Sequence, residues 1–146
     1  MRLAGRIWKE GRHWLVEVPM LDALTQGRSR GEALRMLADL VATMSPTPEL
    51  HVAVLPGAGE DLELGVADVA ALVAILLRRQ REKHGLSLSE VARRLGARSK
   101  TAYARYEQGR SVPTVEKLFE LLAAVAPGDD FALMRRARRE RPGAAP

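Results

Sequence analysis

The sequence predicts an α+β chain, a strand-rich first half followed by an all-helical second half, and three features predict it. Arg2 to Lys9 alternates at period two, and a turn at Gly11-Arg12 leads from it into a second strand, His13 to Val18. From Val66 onward they recur at three- and four-residue steps. Single glycines at 85, 96 and 109 cut that second stretch into helix-length pieces.

In the first half, Arg2 to Lys9 places Leu3, Gly5 and Ile7 on one face, with Arg2, Arg6 and Trp8 on the other. Gly11-Arg12 reads as a tight turn, and His13 to Val18 as a second strand ended by Pro19. Leu21 to Gln26 reads as a short third strand closed by Gly27. Ser29 with Glu32 three residues on is a capping box, and Ala33, Leu34, Leu37, Val41 and Met44 form the apolar stripe of the helix it opens. Ser45-Pro46-Thr47-Pro48 stops this helix. Leu50 to Leu55 reads as a fourth strand that returns to the first hairpin, giving β-β-β-α-β. The segment Pro56 to Asp61 is the expected boundary, dividing the chain into 1–60, 61–134 and a basic, flexible tail at 135–146.

Composition narrows the function. With 146 residues, 47% hydrophobic and 28% charged, the chain is long enough to bury a core and too apolar to be disordered. It has no cysteine, which removes disulfides and thiolate metal sites, and His13, His51 and His84 lack metal-ligand spacing. No metal and no cofactor are expected. The longest apolar stretch, Val66 to Leu77, contains Asp68 and is too short to cross a bilayer. With no signal peptide after Met1, the chain reads as cytoplasmic, with no membrane partner. The net charge of +5 is uneven: residues 1–60 hold seven basic and seven acidic residues, residues 61–146 sixteen and eleven. Basic excess confined to one half points to a polyanion.

The helical half reads as Val66–Lys83, Ser87–Leu95, Ser99–Gln108 and Thr114–Val125. Ser87 and Glu90 make another capping box, and Val91, Ala92 and Leu95 face inward. Tyr106 is expected as the buried aromatic of the third helix. The string Gly85-Leu86-Ser87, Ala92, Leu95-Gly96, Arg105-Tyr106-Glu107-Gln108-Gly109 and Pro113 resembles the Cro/repressor-like (Xre-type) helix-turn-helix family. Leu88 replaces the Gln that often follows the capping Ser. The stretch from Leu95 to Glu107 is one residue longer than the commonest spacing. The resemblance implies that the third helix enters the major groove of operator DNA. Carried over, Arg98, Ser99, Lys100, Thr101, Tyr103, Ala104 and Arg105 stand in or just after the turn for the DNA, most of them facing base edges. Ser87, Ser89, Arg94 and Arg110 would hold phosphates.

The segment Gly5 to Met44 resembles the N-terminal domain of HicB antitoxins, through Trp14-Leu15-Val16-Glu17-Val18-Pro19, Leu21, Thr25-Gln26-Gly27, Ser29 and Glu32-Ala33. That resemblance implies a partial ribonuclease-H-like β-β-β-α-β domain ahead of the helix-turn-helix. It also implies an antitoxin that neutralises a small basic HicA-like ribonuclease toxin and represses its own operon. Trp8, Arg12 and Trp14 are candidate anchors for such a partner. The alternative is a stand-alone helix-turn-helix regulator with a small N-terminal sensor or interaction domain.

No enzyme is expected. Glu10, Glu17, Asp22, Glu32 and Asp39 form no assignable metal cluster, and there is no Ser/His/Asp set or phosphate-cradling Gly loop. A single helix-turn-helix reaches few bases, so a homodimer or higher homo-oligomer is expected, joined through Thr114–Val125 or Asp129–Leu133.

Overall fold

Alternating apolar side chains make the first two strands a hairpin with one buried face. In the computed structural model, which describes residues 1–135, β1 (Arg2–Glu10) and β2 (His13–Val18) pair antiparallel from Arg6↔Glu17 to Glu10↔His13. Leu3, Ile7, Val16 and Val18 are buried together. A 3-10 turn at Pro19–Leu21 follows, and Asp22 adopts left-handed backbone, φ 48°. Then β3 (Ala23–Gly27) runs back along β2. It starts two residues later than the sequence suggests, because Pro19 holds a turn that drops Leu21 into the core.

Helix α1 (Arg30–Thr43) begins where Ser29 Oγ accepts from Glu32 N at 3.1 Å. The Glu32 carboxylate accepts from Arg28 N at 2.5 Å, one residue before the partner a strict capping box requires. Ala33, Leu37 and Val41 face the sheet and are fully buried. The helix start lies so close to β3 that a side chain at Gly27 would collide with the Ala33 backbone.

The chain then departs from the expected β-β-β-α-β order. β4 (Val52–Pro56) does not pair with β1; it turns into a fifth strand, β5 (Asp61–Val66), which lies between them. The sheet order is β3-β2-β1-β5-β4, and all its pairs are antiparallel. The physical reason is the alternation Leu62-Glu63-Leu64-Gly65-Val66, which buries Leu62, Leu64 and Val66 beside Leu3 and Ile7. The expected division after residue 60 therefore falls inside the β4–β5 hairpin, and the passage from sheet to helix comes at 67–68.

Four helices complete the described chain: α2 (Val69–Lys83), α3 (Leu88–Arg94), α4 (Lys100–Glu107) and α5 (Val115–Val125). α2 starts three residues after the expected Val66, since Asp68 Oδ1 caps it by accepting from Ala71 N at 3.0 Å. Every residue from Ala71 to Leu77 is buried. One hydrophobic cluster runs from Leu3 in β1 through α2 to Ala126, so sheet and helices share a core. The tail expected from Arg135 lies, apart from Arg135 itself, outside the described residues.

If β5 is integral to this core, Leu64→Ala should destabilise the chain by about 2–5 kcal/mol in urea unfolding, as for other buried leucines. Leu55→Ala, on the exposed side of β4, should cost well under half as much. Equal small effects would place β5 outside the folding unit.

Candidate nucleic-acid interface

The end of α2 sets the geometry. Ser87 caps α3 with both halves of a capping box present: Glu90 N donates to Ser87 Oγ at 3.1 Å, and Ser87 N donates to Glu90 Oε2 at 2.6 Å. Val91 and Ala92 are buried, as their spacing predicts. Gly96, at φ +69°, ends the helix in the left-handed conformation, with Gly96 N donating to Arg93 O and Ala97 N to Ala92 O. Five residues, Leu95 to Ser99, link α3 to α4, against about three or four in the usual motif. The extra residue is thus taken up in the turn, and α4 begins cleanly at Lys100 with Ser99 Oγ accepting from Thr101 N at 3.2 Å.

The inner side of α4 is held by a buried ion pair. Arg81 Nε and Nη2 donate to the two carboxylate oxygens of Glu107 at 2.7 and 3.0 Å, while Arg81 Nη1 donates to Leu86 O at 2.8 Å. Tyr103 Oη donates to Glu107 Oε1 at 2.5 Å. The pair is mostly shielded, with 15% of the Arg81 and 8% of the Glu107 side chain exposed. The hydrogen bonds that Arg81 donates to Glu107 keep its guanidinium firmly charged. Burial, reinforced by the Glu107 charge, pushes the Tyr103 phenol far above its ordinary range and so keeps it neutral.

Two expectations about aromatics therefore exchange places. Tyr103, expected to face base edges, is 1% exposed and belongs to the core. Tyr106, expected as the buried aromatic, only packs against the core's edge. The cause is phase: Tyr103 and Glu107 lie one turn apart on the side of α4 that meets Arg81.

The opposite side is open. Arg98, Ser99, Lys100, Thr101 and Arg105 are exposed and Ala104 is half-buried. Arg110, just past the Gly109 stop, is exposed as well. Arg98, Lys100, Arg105 and Arg110 have no acidic partner among the described residues. Ser87 and Ser89 stand exposed at the start of α3. Arg94 is drawn away to the other end of that helix, where Nη1 donates to Ala124 O at 3.2 Å. Sequence reading missed Ala102 and Gln108, both exposed. Thr101, Arg105 and Gln108 follow one another at helical steps opposite Tyr103, so the buried tyrosine, once placed, would have revealed them. Such a helix can lie in a major groove, its guanidinium and ammonium groups meeting guanine acceptors and its methyls meeting thymine.

Residues 77–125 match the family model described as Helix-turn-helix. The match starts in the second half of α2 and ends with α5, covering the geometry just described. It supports a DNA-binding domain in this part of the chain and, with it, a transcription regulator. No curated protein matches the chain. Among the described residues no helix is long and apolar enough to cross a membrane.

Glu107→Ala should cost about 3–5 kcal/mol in urea unfolding, because it strands the Arg81 charge in a shielded site. The double change Arg81→Met with Glu107→Leu should cost clearly less, since neither charge is then left alone. A single-variant loss below about 1 kcal/mol would show the pair to be a solvated surface contact.

Proposed function

We propose that this chain regulates transcription by reading duplex DNA with the exposed side of α4, and that its five-stranded sheet receives a partner protein. The observation that carries the first part is the set Arg98, Lys100, Arg105 and Arg110, unpaired around a helix whose inner side is fixed by Arg81 and Glu107. Lys100, Thr101, Ala102, Arg105 and Gln108 are the readers in this proposal, with Ser87, Ser89 and Arg110 on phosphates. No catalytic step is included: Glu17 is engaged by Arg6, and Glu32 closes the start of α1.

Binding as a two-fold pair belongs to the same reading, since two reading helices one DNA turn apart double the base contacts. α5 turns Leu121, Leu122, Ala124 and Val125 into the core. The apolar surface left for pairing is Val112 and Val115 before and at its start, and Leu133 and Met134 beyond its end.

The sheet carries the second part. All helices contacting it lie on the buried face, so Ala4, Arg6, Trp8, Leu15, Glu17, Leu24 and Leu55 sit on a face that no described element covers. Arg6 stacks over Trp8 at 4.9 Å. Trp14, by register, is on the inner face and packs against the core, which removes it as an anchor. An open sheet face suits a protein better than a small molecule, which would need a concave site. The finer proposal is that the partner is a small basic ribonuclease toxin that the chain neutralises. Its support is the resemblance of Gly5 to Met44 to HicB antitoxins. The stand-alone regulator shares every feature of the DNA-binding half.

Lys100→Ala and Arg105→Ala should each weaken binding to DNA from upstream of the chain's own gene by about 1–3 kcal/mol where the contact is bidentate. Two chains should occupy each site in band-shift assays. Unchanged affinity in the double variant would remove α4 from the interface.

For the partner, co-expression with the product of a neighbouring short reading frame should give a complex that co-purifies and restores growth, and Trp8→Ala should weaken it. Growth arrest that this chain leaves unrelieved would favour the stand-alone regulator.

A further inference from the structure

The sheet ends at β4, and no described strand lies beyond it. Gly57 N donates to Asp61 O at 2.7 Å, which fixes the phase of the β4–β5 pair. At period two, Ala53 and Leu55 turn their backbone groups to Gly65 and Glu63 of β5, and those of Val52, Val54 and Pro56 point to the free side. The Val52 and Val54 N–H groups have no partner there among the described residues. Folded chains blunt such an edge with charged side chains or proline, or cover it. β4 carries no charge, its Leu55 is 40% exposed, and Pro56 protects only its far end. At the opposite edge, β3 leads through Arg28 and Ser29 straight into α1, whose start lies against Gly27.

Opposite charges flank this edge without an answer. Glu49, just before β4, is exposed and holds left-handed backbone, φ 59°. Arg30 reaches the other end, where Nη2 donates to Gly59 O at 3.3 Å and Nε is buried with no partner. Neither residue makes an ion pair among the described residues. Two strands paired antiparallel about a two-fold axis set the start of one opposite the end of the other. Centred on Val54, such a pair overlaps the whole of β4 and sets Glu49 opposite Gly59, the residue that Arg30 holds.

We propose that β4 pairs antiparallel with β4 of a second copy of this chain, in the register centred on Val54, so that the two sheets become one. The proposal rests on the reading that the chain acts as a two-fold pair, and it names the sheet edge, rather than the ends of α5, as the contact. Each Val54 N–H donates to the other copy's Val54 O, and each Val52 N–H to the other copy's Pro56 O. On the outer face Ala53 lies opposite the other copy's Leu55, and at the rim Glu49 meets the other copy's Arg30. An apolar centre with a charged rim is the usual make-up of a specific protein contact. A strand of another protein can take the same backbone donors, but it does not bring, by symmetry, the acid that Arg30 lacks. The two-fold axis of an antiparallel pair stands perpendicular to the sheet, so both buried faces and the helices on them lie on one side. Two helices that read one duplex need that arrangement.

Val54→Pro tests this directly, because it removes an edge-facing N–H and leaves the bonds to β5 in place. Light scattering on the full chain at about 1–100 μM spans a micromolar dissociation constant. The unchanged chain should run there as a pair. Val54→Pro should pair at least about tenfold more weakly, with its thermal midpoint kept. Glu49→Lys should also weaken pairing, and Glu49→Lys with Arg30→Glu should restore it, which a purely structural role for either residue would not do. Should Val54→Pro not fold, the charge exchange alone decides. Pairing that survives Val54→Pro and Glu49→Lys but is lost in Val112→Glu with Val115→Glu would overturn the proposal and leave a two-fold pair formed through α5. A full chain that is monomeric throughout would remove both. If Val54→Pro leaves the mass unchanged and abolishes co-purification with the neighbouring frame's product, the edge belongs to a foreign strand and the proposal falls.

Discussion

Three consecutive residues of α2 hold the molecule together, and each reaches a different backbone or side-chain partner. Arg79 donates to Leu21 O at 3.0 Å, to Asp22 O at 2.9 Å and to the Asp22 carboxylate at 3.2 Å. Gln80, 2% exposed, donates to Met20 O at 2.8 Å. Arg81 grips Glu107 on α4. Successive helix positions are rotated by about 100°, so one turn of α2 faces the 3-10 turn of the sheet unit and α4 at once. Those 3-10 carbonyls gain partners they would otherwise find only in water. The sheet unit and the helix-turn-helix consequently share a helix, in addition to a core.

That arrangement changes what the Arg81–Glu107 pair is for. A shielded ion pair is a weak source of net stability, because desolvating both charges offsets much of their attraction. Its geometry is what matters: two parallel bonds fix the rotation of α4 about its axis, and Tyr103 adds a third contact to the same carboxylate. Turned by one residue, α4 would put Ala102 or Ala104 in the place of Tyr103 and break the contacts to Glu107. A second touch point supports the same pose: the Gly109 stop of α4 lies against Pro46 in the α1–β4 connection, where a side chain on Gly109 would come within 3.4 Å of the proline ring. A partner on the sheet would therefore act on α4 through packed contacts rather than through a loose linker.

The helical half was legible because its signals are local. Capping serines, stop glycines and three- and four-residue steps place α3, α4 and α5 to within about a residue. The sheet was less so. Its fifth strand carries the alternation Leu62-Glu63-Leu64-Gly65-Val66 in plain view, but the glycine-rich Pro56–Asp61 suggested a linker, and Val66 matched the helix that follows. Which strand pairs with β1 is a long-range choice that no local pattern encodes. At the interface, residue types were readable and phase was not. Two tyrosines three positions apart compete for the core, and the winner is decided by Arg81 and Glu107, twenty-six residues apart in sequence.

Charge follows the same logic of partners rather than totals. Six of the eighteen arginines and lysines in residues 1–134 are answered by carboxylates: Arg2 by Glu63, Arg6 by Glu17, Arg78 by Glu82, Arg79 by Asp22, Arg81 by Glu107 and Lys117 by Glu120. On the open side of α4 none is. The unpaired cations of α4 give a field effective only within about a Debye length of 8 Å at physiological salt. Such a field can orient a helix that has already arrived at DNA, and it is poorly suited to finding DNA from a distance. Only two of the eight positions in α4, Lys100 and Arg105, are basic, and Thr101, Ala102, Ala104 and, just beyond its end, Gln108 can serve discrimination.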